Sequence, residues 1–253
     1  MAPRFLARLF RAPPPEAPPC HVLPEHRVYA IGDIHGRADL LADLLEKIAR
    51  DRAAQADARD VKYVFLGDYV DRGERSREVL DQLSALRGQR GQEAVFLRGN
   101  HEAALLDFLA DPEAGRRWLQ FGGDRTLKSY GLDPTGEPEA LRERFHAALG
   151  PHLDFLQQTE RFWMSGEVLF VHAAVNPRRA IADQEDQDLF WGNRAFLRGR
   201  AFPGMRVVHG HYNAFEPVVT PQRICVDTGA YYSDRLTAVC LDAQVRFLST
   251  GDP

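Results

Sequence analysis

The chain is short of the features that mark secreted, membrane-spanning and nucleic-acid-binding proteins. Its 253 residues include three cysteines, Cys20, Cys225 and Cys240, an odd and widely spaced set that matches neither a disulfide framework nor a zinc-ligand pair. No apolar run approaches the ~20 residues of a membrane span. The formal net charge is -4 with both signs interspersed, so no nucleic-acid partner is expected, since such partners usually meet a basic face. A reducing cytoplasm is the expected compartment.

The N-terminal part of the chain differs from the rest. Residues 1–11 place apolar and arginine side chains at helical spacing, which fits either a weak membrane-surface or partner-docking helix or a terminus without fixed structure. They lack the long apolar centre and the cleavage site of a secretory signal. Residues 12–19 are rich in proline and predict an extended linker. We therefore expect an extension over residues 1–26 and one folded domain over residues 27–253.

The apolar pattern predicts an α/β fold. Short apolar runs predict strands at residues 28–31, 61–66, 94–97, 168–171, 206–208, 224–226 and 236–241, the last pairing with residues 245–248. Leucines at helical spacing separate the first three strands, and this order predicts parallel strands with crossover helices. Residues 102–158 are mostly helical in pattern and are expected to cover part of a site, although their placement is open.

Polar residues follow five of the predicted strands, and in four of these cases they stand beside a glycine. The first three strands run into Gly-Asp-Ile-His-Gly, Gly-Asp-Tyr-Val-Asp-Arg-Gly and Gly-Asn-His-Glu, and two later strands run into histidines. In open α/β sheets ligands bind beyond the carboxyl ends of the strands, so these side chains are expected to meet. The candidate metal ligands are Asp33, His35, Asp68, Asn100, His172 and either His209 or His211.

The predicted ligands are carboxylate, imidazole and amide groups without a thiolate, which favours manganese, iron, zinc or nickel over a structural zinc. Two cations roughly 3.5–4 Å apart need a shared carboxylate, and Asp68 is our choice for it. A water between the cations would lose a proton near neutral pH and attack phosphorus. The cations would also offset the charge that develops in the transition state. The pattern therefore predicts a two-metal site that cleaves a phosphate ester.

Three more residues fit the remaining chemical tasks. His101, next to the ligand Asn100, is expected to protonate the leaving oxygen as a general acid. Asp71 is expected to pair with this histidine and keep it protonated and aimed. Arg72 offers a planar fork that matches phosphoryl oxygens. Tyr231 and Tyr232 either line the cleft or pack in the core.

With these residues in place, the sequence resembles the phosphoprotein phosphatase family of the metallophosphoesterase superfamily over about residues 27–241. The resemblance implies an α/β fold with two mixed β-sheets in a sandwich flanked by helices, in a single catalytic domain. It implies a pair of His101 with Asp71 and a phosphate-binding Arg72. It also implies two metal sites with a common carboxylate, one made by Asp33, His35 and Asp68 and the other by Asp68, Asn100, His172 and His211.

The chain departs from the family pattern at three points. Ala173-Ala174 stands where a pair containing glycine is common, and Tyr212 follows His211 where threonine or glutamine is usual. His211 is preferred to His209 as a ligand because it carries the preceding glycine of the motif. Bacterial members bind phosphate with a second arginine in Trp-x-Arg, whereas here the segment Trp191-Gly192-Asn193-Arg194 is one residue longer. The expected substrate-binding residues are therefore Arg72, Asn100 and Arg194.

Three functions remain open from the sequence. A serine/threonine protein phosphatase comes first, because the residues of the second and third motifs match those of that branch. Hydrolysis of dinucleoside polyphosphates such as diadenosine tetraphosphate comes second, since that branch tends to carry Gly-Asn-His-Asp and an alanine at the position of Asp71. A non-catalytic binding module comes last, because no ligand is missing. We expect two divalent metal ions, manganese before iron, zinc or nickel, and a phosphoprotein or small phosphate ester as substrate.

Overall fold

The computed structural model describes residues 21–55, 57–200 and 202–251. Residues 1–11, for which the sequence leaves two interpretations open, and the predicted proline-rich linker therefore lie outside the described residues. Val22 is buried, and the backbone N–H of Leu23 donates to Ser165 Oγ at 3.0 Å, so residues before the predicted boundary at residue 27 pack against the domain. Within the described chain, no helix combines the length and apolarity needed to cross a membrane.

The described residues form ten strands and nine α-helices. The strands are β1 (His26–Ile31), β2 (Asp60–Phe65), β3 (Ala94–Phe96), β4 (Phe162–Ser165), β5 (Val168–Val171), β6 (Arg206–His209), β7 (Val218–Val219), β8 (Arg223–Cys225), β9 (Thr237–Leu241) and β10 (Val245–Ser249). The helices are α1 (Ala38–Ala54), α2 (Ser76–Arg90), α3 (Asn100–Ala110), α4 (Asp124–Ser129), α5 (Pro138–Leu149), α6 (Pro151–Gln157), α7 (Asp186–Trp191), α8 (Arg194–Leu197) and α9 (Ala230–Ser233).

The strands form two mixed five-stranded sheets, as the family resemblance implies. The first has the order β10-β9-β1-β2-β3 and the second β4-β5-β6-β8-β7. In the first sheet β1, β2 and β3 are parallel, and β9 and β10 form the predicted antiparallel hairpin. In the second sheet β5, β6 and β8 are parallel between antiparallel edge strands. The edge strands β4 and β7 were not predicted, because β7 has two residues and β4 is only partly buried.

The alternation of side chains along the strands builds a layered core. In β1, Val28 and Ala30 face a cluster shared with Phe170 of the second sheet, whereas Tyr29 and Ile31 face a cluster that holds the buried side of α1 and α2. Successive residues of a strand point to opposite faces, so one face closes the sandwich and the other carries helices. A third cluster packs α7 and α8 on the outer face of the second sheet. The predicted sandwich flanked by helices is thus confirmed.

Two stretches differ from their predictions in detail. The acidic segment 183–188 has no apolar residue, so its sequence predicts a solvated loop, but α7 begins within it at Asp186. Asp186 and Asp188 occupy the first turn of that helix, where negative charge is stabilised by the helix dipole. The helical region 102–158 holds α3 from its third residue onward and α4 to α6. It also contains a kink over Leu119–Gly123, where Gly122 has a φ of 109°.

Candidate metal centre and active site

The predicted ligands converge from both sheets at the carboxyl ends of five strands. They are supplied by the segments after β1, β2, β3, β5 and β6, namely Asp33, His35, Asp68, Asn100, His172 and His211. All except His211 are at least nine-tenths buried. The two layers of the sandwich therefore bring side chains that are far apart in the chain into one cluster.

Asp68 stands at the centre of the cluster. Its Oδ2 lies 3.4 Å from His35 Nε2, and its Oδ1 lies 3.4 Å from His172 Nε2. Two groups of potential ligand atoms, each within 4.8 Å of one another, share this carboxylate: one adds His35 and His101, and the other adds His172 and His211. The two carboxylate oxygens thus face two different imidazoles, which is the arrangement that a carboxylate bridging two cations needs.

The imidazoles of His35 and His172 are oriented as metal ligands. Nδ1 of His35 lies 2.9 Å from the carbonyl oxygen of Val70, and Nδ1 of His172 lies 2.9 Å from that of Leu66. A carbonyl only accepts, so each Nδ1 carries the proton and each Nε2 is left to face Asp68 with a lone pair. Burial lowers the pKa of both histidines and keeps them neutral. Metal-bound histidines are typically fixed in this way, so the residues fit divalent cations.

The structure places His211, and not His209, in the cluster. Nδ1 of His211 lies 2.9 Å from Asn100 Oδ1 and 3.2 Å from His172 Nε2. Asn100 Oδ1 also lies 3.0 Å from His172 Nε2. His209 is turned away, with Nδ1 donating to Gly210 O at 2.9 Å and Nε2 facing Arg223 at 3.0 Å. Burial lowers the pKa of His209 to about 3, so it acts as a neutral hydrogen-bonding group within the fold.

Asp33 lies at the edge of the cluster next to a carboxylate that was not predicted. Its Oδ2 accepts the backbone N–H of His211 at 3.0 Å, and burial together with the charges of Asp227 and Asp68 raises its pKa well above the usual range. Burial also raises the pKa of Asp227 to about 6. Asp227 follows the carboxyl end of β8, so the rule that found the candidate ligands would have found it too. The predicted share of Asp33 in the first metal site stays a prediction.

Asp71 is a fully buried carboxylate held by three donors. Its Oδ2 lies 2.7 Å from His101 Nδ1 and 2.8 Å from the indole nitrogen of Trp118. Its Oδ1 accepts the hydroxyl of Thr126 at 2.6 Å. Trp118 and Thr126 belong to the helical region after β3, so this region fixes the orientation of the pair of His101 and Asp71. Neither residue was predicted as part of the site.

His101 carries its proton more firmly than an ordinary histidine. Burial alone would lower its pKa, but the charge of Asp68 and the hydrogen bond to Asp71 outweigh burial and raise the pKa above the usual value. With Nδ1 bonded to Asp71, the free Nε2 lies 3.9 Å from Asp68 Oδ2. The imidazolium therefore presents an N–H at the metal-ligand cluster, where a leaving group can be protonated.

Arg72 rests on an aromatic ring beside the cluster. Its guanidinium lies 5.0 Å from the ring centroid of Tyr231, and the same ring meets His35 edge-on at 5.5 Å. The backbone N–H of Arg72 donates to the carbonyl oxygen of Gly122, in the kink over Leu119–Gly123, at 3.3 Å. Tyr231 thus lines the candidate active site and does not pack in the core, which settles for this residue the alternative that the sequence left open. Arg194 is exposed at the start of α8, and its part in phosphate binding stays a prediction.

Glu102 supports the loop that carries Asp68. Its buried carboxylate accepts the backbone N–H groups of Asp68, Tyr69 and Gly99 at 2.7, 2.8 and 2.9 Å. Burial and the charge of Asp68 raise its pKa to about 7. The third motif therefore positions the second, because Glu102 of the third motif accepts hydrogen bonds from Asp68 and Tyr69 of the second.

Backbone strain is concentrated at the site. Six non-glycine residues in the described chain have positive φ, and five belong to the predicted site: His35, Asp68, Asp71, Arg72 and His211. Such conformations cost of order 1–3 kcal/mol each, and they persist because hydrogen bonds around the cluster hold them. This distribution indicates that the local backbone is shaped for the site and not for the stability of the fold.

Comparisons with known proteins agree with this geometry. The family model described as calcineurin-like phosphoesterase matches residues 26–240. The symmetrical bis(5'-nucleosyl)-tetraphosphatase of Janthinobacterium sp. (strain Marseille) is 45% identical over 154 residues, 61% of this chain and 46% of the relative. The serine/threonine-protein phosphatase PP1-1 of Saccharomyces cerevisiae (strain ATCC 204508 / S288c) is 42% identical over 79 residues, 31% of this chain and 24% of that protein.

Solved structures share the fold at low sequence identity. A protein serine/threonine phosphatase of Saccharomyces cerevisiae, described as similar to human phosphatase PP5, superposes with a TM-score of 0.59 at 15% identity. The match covers 91% of this chain and 82% of the other. The chain spans less than half the length of the curated relatives it matches.

Proposed function

The chain belongs to the calcineurin-like phosphoesterase family, and from this premise we propose that it is a two-metal serine/threonine protein phosphatase. The observation that carries the proposal is the contact of 2.7 Å between His101 Nδ1 and Asp71 Oδ2. This contact links the Asp-Arg-Gly and Asn-His-Glu motifs, whose residues match the protein-phosphatase branch. We propose manganese as the first choice for both cations, which Asp33, His35, Asp68, Asn100, His172 and His211 would hold.

The residues of the chain divide the chemistry among them. When bound, the two cations supply Lewis acidity and lower the pKa of water, so that a nucleophile is available near neutral pH. Arg72 binds phosphoryl oxygens with its planar fork. His101 donates its Nε2 proton to the leaving serine or threonine oxygen. Asp71 keeps the ring of His101 in place and raises its pKa. Trp118 and Thr126 donate hydrogen bonds to Asp71 and so hold its carboxylate.

Hydrolysis of dinucleoside polyphosphates is the second candidate. It is favoured by the 154-residue match to the symmetrical tetraphosphatase, which is longer than the 79-residue match to the yeast protein phosphatase. Against it stands Asp71, a position at which that branch tends to carry alanine. A non-catalytic module is disfavoured, because every predicted ligand except Asp33 falls within contact of the central cluster.

A comparison of three substrates tests the proposal. Protein supplied with Mn²⁺ is assayed on p-nitrophenyl phosphate, a phosphoserine peptide and diadenosine tetraphosphate, and kcat/KM is measured for each. We expect the phosphopeptide to exceed the dinucleotide by at least about tenfold, which corresponds to ~1.4 kcal/mol of transition-state stabilisation. A large preference for diadenosine tetraphosphate would replace the first candidate by the second. Metal-loaded protein that turns over none of the three would favour the binding module.

Asp71→Asn is expected to move the alkaline limb of the pH–rate profile to lower pH. His101 works as an acid, so activity falls as pH rises through its raised pKa. Removing the negative charge of Asp71 lowers that pKa, by about one unit or more, and the acid is then lost at a lower pH. The profile of kcat between pH 5 and 10 with phenyl phosphate measures the shift.

Asp81→Asn is the matched control for this prediction. Asp81 Oδ1 lies 3.1 Å from His152 Nε2, so the variant removes an aspartate from another aspartate–histidine pair, outside the site. Its profile should match that of the unsubstituted protein. An alkaline limb that stays in place in Asp71→Asn would mean that another group provides the proton.

A further inference from the structure

A recess of about 410 Å³ opens beside Arg72. This volume is many times the ~30 Å³ that one water occupies in the liquid, so the recess has room for an amino-acid side chain. Gly36 and Gly73 of the first two motifs contribute to its wall together with the ring of Tyr231. The recess is therefore continuous with the phosphate-binding side of the candidate site, because Arg72 belongs to both.

The charged groups that line the recess are four guanidinium groups and two carboxylates. Its carboxylates are Asp39 and Glu74. Its guanidinium groups are those of Arg37, Arg72, Arg75 and Arg125. Two more carboxylates lie next to the lining, since Asp234 pairs with Arg37 and Glu78 pairs with Arg75, so the positive and negative charges balance. An anionic ligand is therefore favoured by guanidinium N–H donors that remain unused, and not by a surplus of positive charge.

The arginines keep donors available for a ligand. Arg125 Nη1 pairs with Glu74 at 3.1 Å, and Arg75 pairs with Glu78. Each guanidinium has five N–H donors, so one such contact leaves several free. Arg72 has no carboxylate partner among the described residues and rests on Tyr231 at 5.0 Å. The ion pairs hold Arg75 and Arg125 at the rim of the recess without using all of their N–H donors.

We propose that the recess binds an anionic group that the substrate carries next to the phosphate being cleaved. Building on the proposed protein phosphatase function, that group is an acidic or a second phosphorylated side chain close to the phosphoserine. The phosphate under attack lies on one side of Arg72 and the second anion on the other. Because the arginines are partly exposed, the preference is about fivefold in kcat/KM at low salt and shrinks as salt screens it.

Two phosphoserine peptides test this preference. They differ only in whether the flanking residues are aspartate or alanine, and the ratio of their kcat/KM values is taken within each variant, so that a general loss of activity cancels. We expect a ratio of about five that falls to near one in Arg75→Ala/Arg125→Ala. Arg50→Ala is the control, because Arg50 is an exposed arginine paired with Glu46 on α1, and it should keep the ratio. A ratio of one in the unsubstituted protein, or a full ratio in the double variant, would overturn the proposal.

A second assay decides the recess independently of the proposed function. The same peptides, with a non-hydrolysable phosphonate in place of phosphoserine, compete with p-nitrophenyl phosphate. An inhibition constant about fivefold lower for the acidic peptide, equalised in the double variant, would support the recess even if no phosphopeptide is hydrolysed. In that case the protein phosphatase assignment alone would fail. Equal inhibition by both peptides in the unsubstituted protein would overturn the recess.

Discussion

Asp68→Asn is expected to lose both metal ions and nearly all activity. The carboxylate is shared by the two groups of ligand atoms, so a neutral amide weakens both metal sites at once. Metal ions stabilise such transition states by several kcal/mol, and at 1.36 kcal/mol for each factor of ten kcat/KM should fall by about three orders of magnitude or more. Metal content per chain, measured on protein purified without chelator, and turnover of p-nitrophenyl phosphate together give the result.

Asparagine is the informative replacement because the space around Asp68 is fixed. A Cβ added at Gly99 would lie 2.1 Å from Asp68 Oδ1, so a longer side chain would disturb the backbone. The amide oxygen can still accept the backbone N–H of His101, which donates to Asp68 Oδ1 at 3.1 Å. The variant therefore tests the charge and not the shape.

Asp242→Asn is the matched control for Asp68→Asn. The side chain of Asp242 is 7% exposed and pairs with Arg27 at 2.9 Å. This contact lies where β1 begins and not where it runs into the site. The replacement of Asp242 should lower the urea midpoint of unfolding, since it leaves the buried Arg27 with a weaker partner, and leave metal content unchanged. Two bound metals and full activity in Asp68→Asn would exclude the bridging role.

The ligand cluster could be predicted because its signals are local. Each ligand comes shortly after an apolar strand, and all but His172 stand next to a glycine, so both features are visible within a few residues. The meeting of these strand ends then follows from a general rule for α/β sheets. Asp227 obeys the same rule, but its nearest glycine is Gly229, two positions further along the chain. Asp227 therefore lacks the adjacent glycine that marks five of the six candidate ligands.

The residues that support the site could not be predicted in the same way. Trp118 and Thr126 lie 47 and 55 positions from Asp71 in the chain, and no periodic pattern joins a helix to a loop at that distance. In the sequence, Glu102 is only the last residue of the third motif. In the structure its carboxylate accepts the backbone N–H groups of Asp68, Tyr69 and Gly99. Such contacts depend on how helices pack on a sheet, which local propensity does not specify.

The contact between His101 and Asp71 limits which substitution of His101 gives a clear result. Asp71 is fully buried, and removing the imidazole entirely would leave its carboxylate with fewer donors, at a cost of about 1–3 kcal/mol. Asparagine keeps an N–H donor close to the position of Nδ1 and removes only the proton that faces the cluster. His101→Asn therefore separates the chemical role of the histidine from its structural one.

His101→Asn is expected to slow hydrolysis according to the leaving group, while metal content stays at the unsubstituted level. A general acid contributes about 10²–10⁴-fold when the leaving oxygen needs a proton. Phenyl phosphate and a phosphoserine peptide have basic leaving groups, so kcat should fall by that amount. p-Nitrophenolate departs without protonation, so the loss on p-nitrophenyl phosphate should be smaller by at least about tenfold.

The dependence on the leaving group is the decisive result, because a collapsed site would slow every substrate alike. His152→Asn provides the comparison, since His152 is also a buried histidine, bonded to Tyr130 at 2.7 Å outside the cluster. It should lose some stability and keep both its metals and its selectivity among leaving groups. Equal losses on all three substrates in His101→Asn would assign His101 to the metal site, where its ring already lies within reach of His35 and Asp68. A graded loss with both metals retained would assign it to proton transfer, because only that role depends on the basicity of the departing oxygen.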